Sequence, residues 1–209
     1  MRIFVFSDLH GNIPQLKKVV AQIEREKATH VIFAGDMGIN QLAHEKDLLF
    51  SIKQELTIVR GNIDQPWLFM SHNIRVPLLY TSITFEERVV AVTHGDYFPS
   101  WQQIPLTLTK NDICITGHTH VPHLRKYPNQ PLELNPGSVS EPRNSNDPSY
   151  AMITSKSIQI KSLETGIQIR NFIEYLQPIQ KEIPKDSQQR VSIFSPIARK
   201  DRLQSENDE

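Results

Sequence analysis

The chain has 209 residues, enough for one well-packed catalytic domain with material left over, and its 23 basic and 23 acidic residues balance. No excess of positive charge is present to attract nucleic acid or an anionic membrane, so binding to long polyanions is not indicated. Met1 and Arg2 lead into an apolar run, Ile3–Phe6, that is too short for a signal-peptide core or a membrane span. We therefore expect a soluble, cytoplasmic protein with no membrane partner.

The first sixty residues alternate between strand and helix patterns. Ile3–Phe6 and residues 31–33 are continuously apolar and β-prone, as is typical of strands covered on both faces. Between them, Asn12 can cap a helix whose apolar residues recur at helical spacing. A second helix is predicted over 41–53, and a third strand over 56–59. This alternation predicts an α/β core.

The rest of the predicted domain is dominated by short strands. They are predicted at 74–80, 83–86, 89–92, 113–115, 124–127, 132–134, 151–154 and 158–161. So much β structure after an α/β beginning indicates two packed sheets with helices outside. From about residue 165 the composition turns to Gln, Ser, Pro and charged residues. We therefore expect one domain over 1–164 and a partly disordered C-terminal extension over 165–209.

Five of the apolar strands end in a polar cluster. The clusters are Asp8-x-His10, Gly35-Asp36, Gly61-Asn62, His94-Gly95 and Gly117-His118-Thr119-His120. Taken singly, Asp8 or Asp36 is explained as a helix cap or turn residue, and Asn62 as a turn signal. Turn chemistry does not explain their order at five strand ends. Binding sites of α/β sheets gather at the carboxyl ends of strands, so the clusters can share one site.

The donor atoms of these clusters suit a catalytic metal site. Members of the Asp8–His10 and His118–His120 pairs are two residues apart, so in an extended segment both point to one side. Carboxylate, imidazole and amide groups suit Mn, Fe, Zn, Co or Ni. The single cysteine, Cys114, lies in an apolar run and is expected to be buried and inert. The predicted metal ligands are Asp8, His10, Asp36, Asn62, His94, His118 and His120.

The ordered pattern D-x-H, G-D, G-N, H and G-H-x-H resembles that of the calcineurin-like metallophosphoesterase superfamily over roughly residues 1–164. The short spacings and the segment Asn135-Pro136-Gly137-Ser138 resemble its compact YfcE-like phosphodiesterase and Vps29-like branch. This resemblance implies an α/β fold in which two mixed sheets form a sandwich flanked by helices. It also implies two divalent metal ions, with Mn²⁺ favoured, and a small phosphodiester substrate.

The resemblance also implies a role for each predicted ligand. One ion would be held by Asp8, His10, Asp36 and His120, and the other by Asp36, Asn62, His94 and His118. Asp36 would bridge the two ions, and we expect Asp36, Asn62 and His94 to take part in catalysis. In this family's mechanism, a hydroxide that bridges the ions attacks phosphorus in line with the leaving oxygen.

Two positions depart from the family pattern. Many members carry a histidine after the asparagine as the proton donor to the leaving group, whereas here Ile63 follows Asn62. General-acid help is worth about 10²- to 10⁴-fold, so Ile63 predicts a preference for good leaving groups. This branch often lacks that histidine too. Asp96 stands where the branch commonly has a second histidine, and it could orient a ligand histidine or repel a dianionic substrate.

Two other functions compete with a phosphodiesterase. Vps29-like relatives use the same fold as an interaction scaffold, but loss of ligands would favour that function, and every ligand position is filled here. A small nuclease is disfavoured by the balanced charge and the absence of an added binding domain. The sequence indicates no particular oligomeric state.

Overall fold

The computed structural model describes residues 1–42 and 45–169, and it places two five-stranded mixed sheets in this part of the chain. The first sheet has the order β10-β9-β1-β2-β3. Its strands are β1 Ile3–Phe6, β2 His30–Phe33, β3 Glu55–Ile58, β9 Ser149–Ile153 and β10 Ile158–Ser162. The second has the order β4-β5-β6-β8-β7. Its strands are β4 Tyr80–Phe85, β5 Arg88–Thr93, β6 Ile113–Ile115, β7 His123–Lys126 and β8 Leu132–Asn135.

The helices follow the predicted pattern in part. They are α1 Ile13–Arg25, α2 Ile39–Leu42, α3 Lys46–Phe50 and α4 Pro66–Ser71, with a 3-10 turn at Trp101–Gln103. Asn12 caps α1 as predicted, because its side-chain oxygen accepts a hydrogen bond from Gln15 N at 3.1 Å. The helix predicted over 41–53 corresponds to α2 and α3, and residues 43 and 44 between them lie outside the described residues.

One predicted strand is wrong. Residues 74–79 do not form a strand, and Leu78 contributes only an isolated bridge to Val59. Pro77 has no backbone N–H to donate, which limits ladder pairing in this segment, so β4 begins only at Tyr80. The other predicted strands are present, with ends that differ by a few residues at most.

Two hydrophobic layers hold the domain together. The first lies between one face of the first sheet and the helices, where Phe4 and Phe33 pack with Leu16. The second lies between the sheets, where Val5 of β1 packs with Ile115 of β6 and its neighbours. Side chains of successive strand residues point to opposite faces, so β1 supplies both layers. The predicted α/β fold, a two-sheet mixed sandwich flanked by helices, is therefore confirmed.

The parallel strands bring the predicted clusters to one edge of the sandwich. β1, β2 and β3 are parallel neighbours in the first sheet, and β5, β6 and β8 are parallel neighbours in the second. The loops that follow these strands therefore open on the same side. No helix in the described ranges is long and apolar enough to cross a bilayer. Residues 170–209, which hold most of the predicted C-terminal extension, lie outside the described residues.

Candidate metal centre

The backbone at the site is sharply turned. Five of the predicted ligands have positive φ angles: Asp8 at 56°, His10 at 50°, Asp36 at 56°, His118 at 65° and His120 at 61°. Residues other than glycine seldom adopt this left-handed conformation, and such backbone strain clusters at functional sites. The expectation that the Asp8–His10 and His118–His120 pairs lie in extended segments is therefore wrong. Tight turns, and not strand alternation, direct both members of each pair to the site.

Loop-to-loop hydrogen bonds hold these turns in place. Asp8 N donates to Gly35 O at 3.0 Å, and His10 N donates to Asp36 O at 3.0 Å. The loops after β1 and β2 thus bind each other through the backbone, which fixes the Cα positions of both carboxylate residues. The two loops form one unit.

Four predicted ligands converge to form a compact donor cluster. Ligand atoms of Asp8, His10, Asp36 and His120 all lie within 4.8 Å of one another. The closest approaches involve His120 Nε2, which lies 3.2 Å from Asp8 Oδ1 and 3.3 Å from His10 Nε2. His10 Nε2 is 3.7 Å from Asp36 Oδ2. This is the group that the family resemblance assigns to a single ion.

The remaining predicted ligands join the donor cluster through His94. His94 Nε2 lies 3.3 Å from Asp36 Oδ2 and 3.9 Å from Asp8 Oδ1. The rings of His94 and His118 are 5.3 Å apart between centroids. His118 Nδ1 is 3.0 Å from Asn62 Oδ1, which brings the asparagine into the same group. Asp36 thus faces both halves of the predicted ligand set.

The residues fit a divalent cation. Asp8 Oδ2 and His94 Nε2 are buried and complete no hydrogen bond in the described part of the chain. A buried polar atom without a partner costs free energy, and a bound cation would satisfy a carboxylate oxygen and an imidazole nitrogen together. The mixture of oxygen and nitrogen donors without a thiolate suits a divalent transition metal.

The carboxylates create a strongly negative site. Burial opposes ionisation of Asp36, but His94, the Ile63 N–H and the charge of His10 together outweigh burial and lower the pKa of this carboxyl. Burial likewise disfavours charge on His94, yet Asp36 and Asp8 raise the pKa of its imidazole to about 9. Contact with Asp8 raises the pKa of His120. A metal ligand binds through a deprotonated nitrogen, so cation binding would release a proton from His94.

Backbone carbonyls orient two of the histidine rings. His94 Nδ1 lies 2.8 Å from Ala34 O, and His120 Nδ1 lies 2.6 Å from Glu141 O. A carbonyl accepts only from a protonated nitrogen, so each contact leaves Nε2 free to face the carboxylates. Asp96 makes no hydrogen bond to either ring within the described residues. The structure therefore disfavours Asp96 as the group that orients a ligand histidine.

Asp64 is a site residue that the sequence analysis missed. This carboxylate is 1% exposed. It accepts hydrogen bonds from Met37 N at 2.9 and 3.0 Å, Gly38 N at 3.2 Å and Gly61 N at 3.0 Å. Burial raises the pKa of Asp64 although these N–H groups oppose the rise. Asp64 ties the Asp36 loop to the Asn62 loop, and the acidic residue two positions after the asparagine was the available signal.

Gly61 is required by close packing at the centre of the site. A Cβ atom at this position would overlap Asp36 Oδ1, so any larger residue displaces the carboxylate or the loop. The backbone of the Asn62 loop thus approaches the Asp36 side chain closely at this glycine. Ile63 N also donates to Asp36 Oδ1 at 3.1 Å, which adds a second backbone contact from the same loop.

Histidines outside the metal-ligand set have other surroundings. His30 is buried, and its Nε2 lies 2.8 Å from Thr57 Oγ1, as is typical of a packing histidine. His123 is the first residue of β7, and burial together with the nearby Arg125 lowers its pKa to about 4. His72 follows α4 at its C-terminal end. His44 lies outside the described residues.

A cavity of about 290 Å³ opens beside the donor cluster. His118, Gly117 and Thr119 contribute to its lining, so it shares residues with the candidate site. A larger cavity of about 680 Å³ lies along residues 76–82 and contains none of the predicted ligands. The smaller cavity is therefore the one placed to receive part of a molecule bound at the metal centre.

Comparisons with known proteins agree with this geometry. The family model described as calcineurin-like phosphoesterase superfamily domain matches residues 1–157. Phosphodiesterase YfcE of Escherichia coli strain K12 is 27% identical over 173 residues, which cover 78% of this chain and 92% of that protein. The solved structure of the phosphoesterase Yfce from E. coli superposes with a TM-score of 0.71 at 25% identity, covering 81% of this chain and 97% of that one.

A more distant structure shows the same fold. Vacuolar Protein Sorting 29 from Cryptosporidium parvum has a TM-score of 0.54 at 19% identity, covering 76% of this chain and 88% of that one. The resemblance to the compact YfcE-like and Vps29-like branch is therefore confirmed. The chain belongs to the calcineurin-like phosphoesterase superfamily.

Proposed function

We propose that this protein is a phosphodiesterase that depends on two divalent metal ions and acts on a small phosphodiester. The observation that carries the proposal is the donor cluster, in which ligand atoms of Asp8, His10, Asp36 and His120 lie within 4.8 Å of one another. His94 extends this cluster at 3.3 Å from Asp36. The similarity to the phosphodiesterase YfcE supports the reaction class.

The proposed ligand sets share one carboxylate. Asp8, His10, Asp36 and His120 would hold one ion, and Asp36, Asn62, His94 and His118 the other. Mn²⁺ is the proposed ion, and Zn²⁺, Fe, Ni²⁺ and Co²⁺ suit the same donors. When bound, the two cations would activate a water molecule for in-line attack on phosphorus and neutralise charge on the phosphoryl oxygens.

The protein's own residues would prepare the site for this chemistry. Asp36 Oδ2 lies 3.7 Å from His10 and 3.3 Å from His94, and Asp36 Oδ1 accepts a hydrogen bond from the Ile63 N–H at 3.1 Å. The carbonyls of Ala34 and Glu141 keep the rings of His94 and His120 in fixed orientations. Asn62 would offer its amide oxygen beside His118, which lies 3.0 Å away. Such fixed donors avoid the cost of reorganisation during the reaction.

Hydrolysis of bis(p-nitrophenyl) phosphate tests this function. We expect metal-free protein to be inactive, added Mn²⁺ to produce turnover, and excess chelator to abolish it. Elemental analysis of the loaded protein should show two ions per chain, because the shared Asp36 serves two ligand sets. Full turnover in excess chelator, or no transition metal bound after loading, contradicts the proposal.

The leaving group of the substrate is restricted by Ile63. Its side chain has no acidic proton to give to a leaving group, and its backbone N–H already donates to Asp36. The proposed enzyme therefore lacks the family's usual general acid at this position. It should hydrolyse diesters whose leaving group departs as a stable anion faster than those that expel an alkoxide.

Substitution Ile63→His tests that restriction. We expect the variant to raise kcat/KM for methyl phenyl phosphate by about 10-fold or more, and to change the rate for methyl p-nitrophenyl phosphate little. The two substrates share a methyl arm and differ in leaving group, so the difference reports proton donation, whose full range is about 10²- to 10⁴-fold. Ile63→Gln is the matched polar control without an acidic proton. Equal acceleration of both esters would refute this account of position 63.

The filled ligand positions favour an enzyme over a scaffold. The likeness to the Vacuolar Protein Sorting 29 structure is a likeness of fold. Five non-glycine residues of the site, two aspartates and three histidines, have left-handed conformations. A chain selected only for protein contacts has no need of such strain at these positions. The balanced charge of the chain gives no support to a nuclease.

A further inference from the structure

The cavity beside His118 is built on the outer face of the second sheet. Cys114 of β6 pairs with Glu133 of β8, and Glu133 pairs with Arg125 of β7. Residues in register across neighbouring strands point to the same face, so these three side chains form one row. All three line the cavity, and His123 lies two residues before Arg125 on the same face. The row forms the floor of the cavity.

One wall of the cavity is aromatic. Trp101 lines the cavity, and it packs against Cys114 and Ala91 on this outer face. The 3-10 turn that begins at Trp101 is held by Ser100, whose side chain and backbone form a capping box with Gln103. The turn and the packing on Cys114 and Ala91 thus hold Trp101 at the cavity wall. Its Nε1 is buried and has no hydrogen-bond partner among the described residues.

The floor offers hydrogen-bonding groups of both kinds. Glu133 carries acceptor oxygens, and Arg125 carries donors, and neither belongs to an ion pair in the described ranges. The pKa of Cys114 is raised to about 12 by burial and by the charge of Glu133, so its thiol stays neutral. His123 is also neutral near pH 7, because its pKa is lowered to about 4. A ring bound here would meet one aromatic wall and an edge of mixed donors and acceptors.

We propose that this cavity binds a planar heteroaromatic ring of the nucleobase type, carried on one arm of the phosphoester. The ring would stack on Trp101, and its polar edge would face Glu133 and Arg125. The volume of about 290 Å³ suits one such group and not an extended polymer. The predicted ligand His118 lines the cavity, so a phosphoryl group at the metal centre and a ring in the cavity can belong to one molecule. This inference rests on the proposed function, because it identifies the substrate class of that site.

Competition by monoesters tests the cavity through binding and does not require hydrolysis of the monoesters themselves. The probes are adenosine 5′-monophosphate, phenyl phosphate, methyl phosphate and glycerol phosphate, measured as competitive inhibitors of methyl p-nitrophenyl phosphate hydrolysis. We expect adenosine 5′-monophosphate to bind at least about 10-fold more tightly than methyl phosphate, since stacking of a base on an aromatic side chain strengthens binding by about that factor. Trp101→Ala should bring this ratio close to one and leave methyl phosphate binding unchanged, whereas Trp101→Phe should keep most of it.

A second variant and a second readout guard against misfolding of Trp101→Ala. Glu133→Met keeps the side-chain length and removes the oxygens. It should therefore weaken the binding of adenosine 5′-monophosphate more than the binding of phenyl phosphate. In Trp67→Phe, Trp101 is the sole tryptophan, because the chain has two. Its fluorescence in the Zn²⁺-loaded protein should be quenched by adenosine 5′-monophosphate and not by methyl phosphate.

The outcomes separate this inference from the proposed function. If methyl p-nitrophenyl phosphate is hydrolysed but the monoesters with and without a ring inhibit equally, the cavity assignment alone is overturned. Tighter binding of glycerol phosphate than of the ring-bearing esters has the same consequence. Quenching of Trp101 by adenosine 5′-monophosphate in a protein that hydrolyses no diester supports the cavity and overturns the proposed reaction. If Trp101→Ala weakens the binding of all four monoesters equally, the inference is also contradicted, because the substitution then affects the whole site.

Discussion

Replacement of Asp36 by asparagine should abolish most phosphodiesterase activity and remove at least one metal ion. Asp36 is 2% exposed, and its Oδ2 lies 3.3 Å from His94 Nε2 and 3.7 Å from His10 Nε2. An amide keeps the shape of the side chain and loses its negative charge, so one bridge between the proposed ion sites is lost. Loss of a residue that only hydrogen-bonds to a metal ligand already lowers metal affinity or activity by about 10- to 100-fold. We expect a loss beyond about 100-fold, measured as kcat/KM for bis(p-nitrophenyl) phosphate.

The metal content of the same variant is measured by elemental analysis after loading and desalting. Asp147→Asn is the matched control, since Asp147 is exposed and lies away from the donor cluster. The control should keep two ions and full activity. Two ions per chain together with near-normal turnover in Asp36→Asn would show that this carboxylate does not bridge the ions.

Asp64→Asn should weaken both the fold and the metal site, although Asp64 is not a proposed ligand. The carboxylate accepts three backbone N–H groups, from Met37, Gly38 and Gly61, in a buried position. An asparagine turns an N–H₂ group toward some of these donors and leaves them without partners. We expect a loss of about 2–4 kcal/mol in the free energy of unfolding. Urea unfolding in the presence of chelator measures this loss without a contribution from bound metal.

Asp112→Asn separates stability from metal binding. Asp112 is also a buried carboxylate that accepts backbone N–H groups, from Val89 at 2.8 Å and Thr109 at 2.6 Å. It precedes β6, whereas His118 follows that strand, so it lies at the opposite end of the sheet. Both variants should lose stability, but only Asp64→Asn should lower Mn²⁺ affinity, by about 10- to 100-fold in calorimetric titration. Equal Mn²⁺ affinities in the two variants would refute a positioning role for Asp64.

The errors of the sequence-based predictions have local physical causes. The apolar run over 74–80 has the composition of a strand, but Pro77 removes a donor, so the segment gives only the bridge at Leu78. α4 was not among the predicted elements, yet Pro66 begins this helix and its residue Phe69 is buried. In both segments a single proline changes the structure that the hydrophobic pattern alone suggests.

The sequence by itself determined the class of fold and the chemical identity of the donors. Strand patterns are local, because apolar runs and side-chain alternation report burial directly. The donor residues were recognisable because each follows such a run, as Asp8 follows β1 and His118 follows β6. Parallel strands then required these residues to meet at one edge.

Only the tertiary structure decided how the site is arranged. The left-handed turns at Asp8 and His120 depend on hydrogen bonds between loops that are distant in sequence. The same is true of Asp64, which joins two loops, and of Trp101, which packs against the cluster that contains Cys114 of β6. Backbone conformation and cavity shape arise from contacts between distant segments, and no local pattern of residue types records those contacts.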